Sequence, residues 1–298
     1  MIRNLLLTAS VLALTGAVSM PAQAQSAAGA YLAGRHAAVR SDFAESAKYY
    51  GEALALDPKN PEFLESTVLA LLSLGNIERA LPLARVMAAS DQPGQIAYLV
   101  TTAGMAQEED YAGLIAQSAD EGGIGPWVDG LVKAWAQVGA GDMTAALAQF
   151  DALSTEAGMQ GFVMYHKALA LASVGDYEGA EAIFAANQSG SAGQTRRGVI
   201  ARVEILGQLG RNEQALALLT DSFGANSDPE LDDLVAALQG DGQVAFTQIP
   251  DAKAGIAEVF FTFAAVLRNE SAGDYYVLLY SRIARYLRPD HIDDLLLT

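Results

Sequence analysis

Residues Leu169–Phe184 read L-A-L-A-S-V-G-D-Y-E-G-A-E-A-I-F, and they predict two short helices joined by a tight turn. Gly175 follows an apolar helical stretch, and glycine readily adopts the left-handed backbone that ends many helices. Asp176 can then cap the next helix by accepting a backbone N–H. Ala180 and Phe184 follow at a spacing of four residues, which places them on one face of the second helix. Neither helix can bury its apolar face alone, so the unit must stack on a neighbour.

The same turn recurs along most of the chain. The residues that match Asp176 are separated by 34, 34, 32, 34 and 35 positions, by subtraction of their numbers. They are Asp42, Asn76, Asp110, Asp142, Asp176 and Arg211. A small residue four positions after the turn and a bulky one four further on occur in four of the six units; the unit at Asp110 departs, and Ala84 is undersized. A nearly constant period of this length predicts a repeat architecture.

A period near 34 with helix–turn–helix content resembles the tetratricopeptide repeat family. Two stretches also match the tail of that repeat, in which proline ends the second helix. They are Tyr50, Ala53 and Pro58 in the first unit, and Ala284, Leu287 and Pro289 near the end. The resemblance covers roughly residues 28–222 and 255–298, although the tryptophan of the family's first helix is absent. It implies an all-α fold, a right-handed superhelical solenoid of antiparallel helix pairs.

The boundaries follow from where the pattern lapses. Residues 25–222 are expected to form about six helix pairs, and residues 223–253 an irregular insertion with a short helix at Pro229. Residues 254–298 are expected to resume the repeat-like helices. Residues 292–297 start a further apolar helix, which favours a longer array; alternatively, this helix packs back on the preceding pair.

The first residues have the three-part pattern of a secretory signal. Arg3 is followed by an uncharged apolar run at 5–18 and by Ala22-Gln23-Ala24. Residues 1–24 are therefore expected to be a signal peptide, cleaved after Ala24, which favours a bacterial periplasm. The apolar run is shorter than a membrane-spanning helix requires. An uncleaved anchor is the alternative, and no membrane insertion is expected after cleavage.

Composition restricts the possible partners. The 298 residues include 18 Lys and Arg against 35 Asp and Glu, giving a net charge of −17, and no Cys. Such a surface repels nucleic-acid phosphate and anionic lipid, so neither is an expected partner. Without cysteine there are no thiolate metal sites, no disulfides and no cysteine nucleophile.

No catalytic motif emerges, and no catalytic residue, metal site or cofactor is predicted. His36, His166 and His291 are isolated from one another, and none lies in an H-E-x-x-H pattern. The glycines at 122–125 are interpreted as a loop between helices rather than a phosphate-binding turn.

Charged clusters are interpreted as solvated helix ends. The acidic ones lie at residues 108–110, 120–121 and 232–233. A basic stripe recurs every three residues near the end, formed by Arg282, Arg285 and Arg288. It is expected to be solvated, or else to bind an acidic partner or the chain's own acidic units.

The resemblance places a candidate site on the concave side of the solenoid, which the first helix of each pair lines. In the family that surface takes up extended peptides or partner helices. The family's frame puts eight residues there: Tyr31, Arg35, Glu62, Glu65, Phe162, Tyr165, Arg197 and Glu204. Some members clamp a partner's terminal carboxylate with Lys and Asn, and the corresponding positions here are Tyr31 with Arg35 and Glu65 with Leu69. Chaperone-tail binding is therefore not expected.

The sequence thus favours a non-enzymatic protein–protein interaction scaffold in the periplasm, with a protein or peptide partner in the concave groove. A structural subunit of a cell-envelope export or polysaccharide-assembly machine, associated with an envelope complex, is one alternative. The N-terminal repeat region of a longer enzyme is another.

Overall fold

The computed structural model describes residues 26–117, 123–156, 158–187, 192–224, 229–240, 244–269 and 274–290. Within these ranges the chain forms α-helices and one 3₁₀ turn at Ala192–Gln194, and it contains no strand. The helices are α1 (Ala27–Val39), α2 (Phe43–Leu56), α3 (Pro61–Ser73), α4 (Ile77–Ala88), α5 (Gln95–Gln107), α6 (Tyr111–Ala116), α7 (Pro126–Gly139), α8 (Met143–Ser154), α9 (Gln160–Ser173), α10 (Tyr177–Ala186), α11 (Arg196–Gln208), α12 (Asn212–Phe223), α13 (Pro229–Gln239), α14 (Ala252–Asn269) and α15 (Asp274–Leu287). The expected signal peptide, His291, the acidic pair at 120–121 and the helix expected at 292–297 lie outside the described residues.

One turn geometry is repeated in the six helix pairs from α1–α2 to α11–α12. Each turn has one residue with φ between 56° and 87°, at Ser41, Gly75, Glu109, Gly141, Gly175 and Gly210. The N–H of the next residue donates to the carbonyl five residues back, at 2.8 to 3.0 Å. This bond, made as the chain leaves the helix, is the mark of a Schellman ending. Four of these next residues, Asp42, Asp110, Asp142 and Asp176, also cap the following helix with their carboxylates.

The residues four positions after each turn, which are small in every unit except that of Asp110, pack between helices. All six are at most 3% exposed: Ser46, Ala80, Leu114, Ala146, Ala180 and Ala215. Bulky residues one turn further on, such as Phe150 and Phe184, are buried beside them. Successive helices contact one another in chain order. The predicted all-α, tetratricopeptide-like solenoid of helix pairs is therefore confirmed.

The C-terminal part leaves this regular stacking. Helix α13 packs on α12, and residues 244–251, which we call the strap, form no helix or strand. Helix α14 then begins at Ala252, and its residues 252 and 254–260 are buried. A helix that is apolar on most sides must be covered on most sides. Accordingly, α14 and α15 pack on each other and fold back on α3, α5, α7 and α9.

Candidate functional site

The first helices of the six pairs, α1, α3, α5, α7, α9 and α11, form what we call the concave face. The C-terminal pair lies against the middle of this face. Helix α14 contacts α5, α7 and α9, and helix α15 contacts α3 and α5. The chain's own helices thus occupy part of the surface on which the sequence predicts a partner.

Close approach of α14 to the array depends on one glycine. A Cβ atom at Gly255 would lie 2.2 Å from the ring of Trp135, which is fully buried in α7. Real Cβ atoms do not tolerate such a distance, because protein interiors are already close-packed. Gly255 therefore lets the backbone of α14 lie directly on the indole.

A buried histidine continues this contact. The Trp135 Nε1–H donates to His166 Nδ1 at 3.2 Å, and His166 Nε2 lies 3.2 Å from Thr262 Oγ1. Because Nδ1 accepts, the ring proton sits on Nε2 and is donated to Thr262. Burial, and secondarily the charge of Arg197, lowers the His166 pKa to about 3, so the ring is neutral. His166 therefore links α7, α9 and α14 as a packing residue.

Two of the predicted groove residues hold a carboxylate of α14. The Tyr165 hydroxyl donates to Glu258 Oε1 at 2.8 Å, and the Arg197 guanidinium hydrogen-bonds Glu258 Oε2. The Arg197 side chain also lies 4.1 Å over the ring of Phe261. All three polar residues are at most 6% exposed. Burial, followed by the charge of Glu258, raises the Tyr165 pKa well above its ordinary value.

Glu204, another predicted groove residue, holds the strap. Its carboxylate accepts from the Thr247 N–H at 2.8 Å and hydroxyl at 2.7 Å, and from the Gln248 N–H at 3.3 Å and amide at 3.1 Å. Burial raises the Glu204 pKa, and these hydrogen bonds oppose the rise. Arg288 donates to the carbonyls of the same two strap residues. The strap is thereby fixed to both α11 and the end of α15.

Phe162, the fifth-unit partner of Tyr165, also faces α14. Its half-buried ring lies 5.1 Å from Phe263 and 5.0 Å from His166, both at an edge-on angle. Four of the eight predicted residues thus contact the C-terminal segment of this chain, by which we mean the strap, α14 and α15. Three of those four are buried.

The other four predicted residues lie on α1 and α3 at the N-terminal end. The Tyr31 hydroxyl donates to Glu62 Oε1 at 2.5 Å, and its ring lies 5.2 Å from Phe63. This hydrogen bond to a carboxylate raises the Tyr31 pKa. Arg35, Glu62 and Glu65 are exposed. The structure therefore brings Tyr31 and Glu62 together on an open surface.

A small cavity, which we call the N-terminal pocket, opens among α1, α2, α3 and α15 and has a volume of about 200 Å³. It is lined by Ala38, Ser41, Phe43, Ser46, Tyr50, Ser66, Leu69, Ala70 and Tyr275. Ser46 is fully buried, and its Oγ makes no hydrogen bond. Sequence reasoning missed this pocket because Tyr275 reaches it from α15, far along the chain.

The basic stripe on α15 binds main-chain oxygens. Arg282 Nε donates to the Ser73 carbonyl at 3.1 Å, and Arg288 donates to the strap, whereas Arg285 is exposed. Two of the three arginines therefore contact backbone carbonyls of this chain, which the sequence-based alternatives did not include. Carbonyls at a helix end are acceptors that the helix itself leaves open.

The acidic cluster at the α5–α6 turn makes structural contacts. Glu108 lies 2.9 Å from Arg85, and Glu109 lies 3.7 Å from Lys253 at the start of α14. Asp110 caps α6. The cluster therefore connects neighbouring elements.

The loop before α7 is also stabilised by a contact within the chain. The loop amides of Ile124 and Gly125 donate to the Asp129 carboxylate at 3.1 and 3.0 Å. In the part of the chain that the structure describes, no three potential metal-binding side chains come together. None of the described helices has the length and apolar character needed to cross a bilayer.

Comparison with known proteins identifies the repeat. Residues 31–94 match the family model of the tetratricopeptide repeat, a stretch that includes most of α1 and all of α2, α3 and α4. No curated protein sequence matches the chain. Tetratricopeptide repeats generally serve as protein–protein interaction modules and are typically not enzymes. The turn of the matched repeats recurs in the four following pairs, and the chain is a tetratricopeptide repeat protein.

Proposed function

We propose that this protein is an exported interaction module whose partner, a protein or peptide, binds the N-terminal end of the concave face. The observation that supports this location of the binding site is the unequal covering of the concave face. Arg35, Glu62 and Glu65 are exposed on α1 and α3, whereas Tyr165, Arg197 and Glu204 are buried under the C-terminal segment. The exposed set also lies inside the stretch that matches the family.

The chemistry of this end suits recognition of a polypeptide. An aromatic ring, an arginine and two carboxylates lie on adjacent helices, and the apolar Leu32 beside them is 61% exposed. Aromatic residues and arginine dominate the binding energy of many interfaces. Mixed charges would fix the direction of a bound chain more than its total affinity.

The binding surface can be tested by capture from periplasmic extract with the full chain as bait. We expect Arg35→Ala and Glu65→Ala to reduce recovery of the partner about tenfold each. Matched controls are Arg79→Ala on α4 and Glu213→Ala on α12, both exposed on second helices. Equal recovery with all four variants would remove the N-terminal site.

Export is the second part of the proposal, and it is supported by the pattern in residues 1–24. We expect the protein recovered from the periplasm to begin at Gln25. Mass spectrometry of the intact protein checks this directly. A protein that retains residues 1–24 in the cytoplasmic fraction would contradict the proposed location.

A further inference from the structure

The N-terminal pocket is a compact site with a neutral lining. Its nine lining residues carry no charge, and its volume of about 200 Å³ equals roughly six or seven water molecules at ~30 Å³ each. The pocket therefore has room for one amino-acid side chain. A charged group would lose its hydration there without gaining an opposite charge from the lining, so the pocket favours an uncharged occupant.

The lining combines aromatic surface with hydroxyl groups. Phe43, Tyr50 and Tyr275 supply rings, and Tyr275 remains 40% exposed. The serines that line the pocket are Ser41, Ser46 and Ser66. Rings favour a flat apolar occupant, because aromatic pairs gain energy beyond the area that they bury. Hydroxyl groups can both donate and accept, so they suit an occupant with a polar tip.

Ser46 indicates where that tip belongs. Its Oγ is buried and makes no hydrogen bond; the Tyr50 hydroxyl lies close, but the two do not reach hydrogen-bond geometry. A buried polar atom without a partner costs folding free energy. Other repeats avoid this cost, since their equivalent residues include Ala80, Ala146 and Ala180, all fully buried.

Ser41 likewise differs from the residues at the equivalent position of other repeats. It has φ 57° at a turn position that is glycine in four other pairs, and it also lines the pocket. Thus the first repeat places a hydroxyl at two positions where four of the five other repeats have glycine and alanine. Both positions face the same small cavity.

We propose that the N-terminal pocket receives a tyrosine side chain of the bound partner, with the phenol hydroxyl hydrogen-bonded to Ser46 Oγ. The ring lies among Phe43, Tyr50 and Tyr275, at the end of the concave face where Arg35 and Glu65 are exposed. This inference rests on the proposed function and adds the chemical class of one anchor residue. The phenol is uncharged, aromatic and tipped with a hydroxyl, which matches all three features of the lining.

The test uses N-acetyl-L-tyrosinamide as the probe, with the phenylalanine and leucine analogues for comparison, in titrations followed by NMR of the full chain. We expect the tyrosine derivative to bind about tenfold more tightly than the phenylalanine derivative, since one buried hydrogen bond distinguishes them. Ser46→Ala should abolish that preference and leave the phenylalanine affinity unchanged. This variant reproduces the alanine of other repeats, so it should fold; Ser154→Ala on α8 is the matched control.

Several results would overturn the assignment. Absence of binding by every probe, equal binding of the tyrosine and phenylalanine derivatives, or an unchanged preference in Ser46→Ala would each do so. Tighter binding of free L-tyrosine than of the blocked derivative would instead indicate a free amino acid ligand and would also reject the proposal. Because these titrations need no partner protein, the pocket can fail while the Arg35 and Glu65 capture experiment succeeds, or the reverse.

Discussion

The two ends of the concave face share a repeat but differ in what covers them. At the N-terminal end Arg35 and Glu65 are exposed on first helices. In the fifth and sixth pairs, Tyr165, Arg197 and Glu204 occupy first helices too, yet each bonds to the strap or to α14. The position of a residue within the repeat therefore predicts the face that it lies on. It does not predict whether that face is open.

The buried ion pair of Arg197 and Glu258 gives the strongest test of this difference between the two ends. Glu258→Ala should destabilise the protein by about 3–5 kcal/mol, because Arg197 would keep its burial but lose the carboxylate beside it. Glu108→Ala removes half of an ion pair whose side chains are about half exposed, and it should cost less than ~1 kcal/mol. Urea denaturation at neutral pH measures both. Similar costs for the two variants would show that the pair does not hold α14.

A second test uses the buried histidine. The folded His166 pKa of about 3 lies below its ordinary value of 6.5, so the unfolded state binds a proton first as the pH falls. The contribution of His166 to stability is therefore fully present above pH 6.5. Between roughly pH 6.5 and 3 the free energy of unfolding should decrease by about 1.4 kcal/mol per pH unit.

The His166→Gln variant provides the reference for this pH dependence. Denaturation should be followed at several pH values between 7 and 4. The variant should show a shallower loss of stability across that range than the unmodified protein. Parallel curves would mean that His166 does not change its protonation between the folded and unfolded states.

A third test concerns the close approach of α14. Gly255→Ala should cost about 1–3 kcal/mol, since the new methyl group would overlap the Trp135 ring. Gly51→Ala is the matched control in α2, where a Cβ meets nothing within 4 Å. It should stabilise the protein by up to ~1 kcal/mol through helix propensity. Thermal unfolding distinguishes the two, and a neutral Gly255→Ala would contradict direct contact.

The smallest expected effect is at the open end. Ser41 has φ 57°, a conformation that disfavours residues with a Cβ. Ser41→Gly should therefore stabilise the protein by roughly 0.5–1 kcal/mol, after allowance for the greater freedom of glycine in the unfolded chain. Gly175→Ala, at the same turn of the fifth repeat, should have the opposite sign. A destabilised Ser41→Gly would show that the serine side chain contributes more than its backbone strain costs.

Much of the fold could be predicted because it is local. The turn at Asp176 and its equivalents depends on residues close together in the chain, namely a helix end, a left-handed residue and a cap. The small residues after each turn were predicted for the same reason, and Ala146, Ala180 and Ala215 are all fully buried. The repeat period predicts how each unit packs on the next one.

The covering of the middle of the concave face could not be predicted in this way. It joins residues that are far apart, such as Tyr165 and Glu258, which are separated by 93 positions. In the sequence Glu258 is a single acid in an apolar helix, and nothing nearby identifies its partner. One indication was available: the run at residues 254–261 is apolar except for Glu258, and so continuous a run needs cover on several sides.

The hydrogen bond from Arg282 to Ser73 has a consequence for how the molecule assembles. It connects positions 209 residues apart, so α15 completes its contacts only after most of the array exists. An open solenoid can lose its terminal units one by one, because each unit depends only on its neighbours. Here α14 and α15 brace the second to fifth pairs, and contacts of such separation slow folding. The braced part should therefore unfold in a single cooperative transition, with fraying confined to units that the brace does not reach.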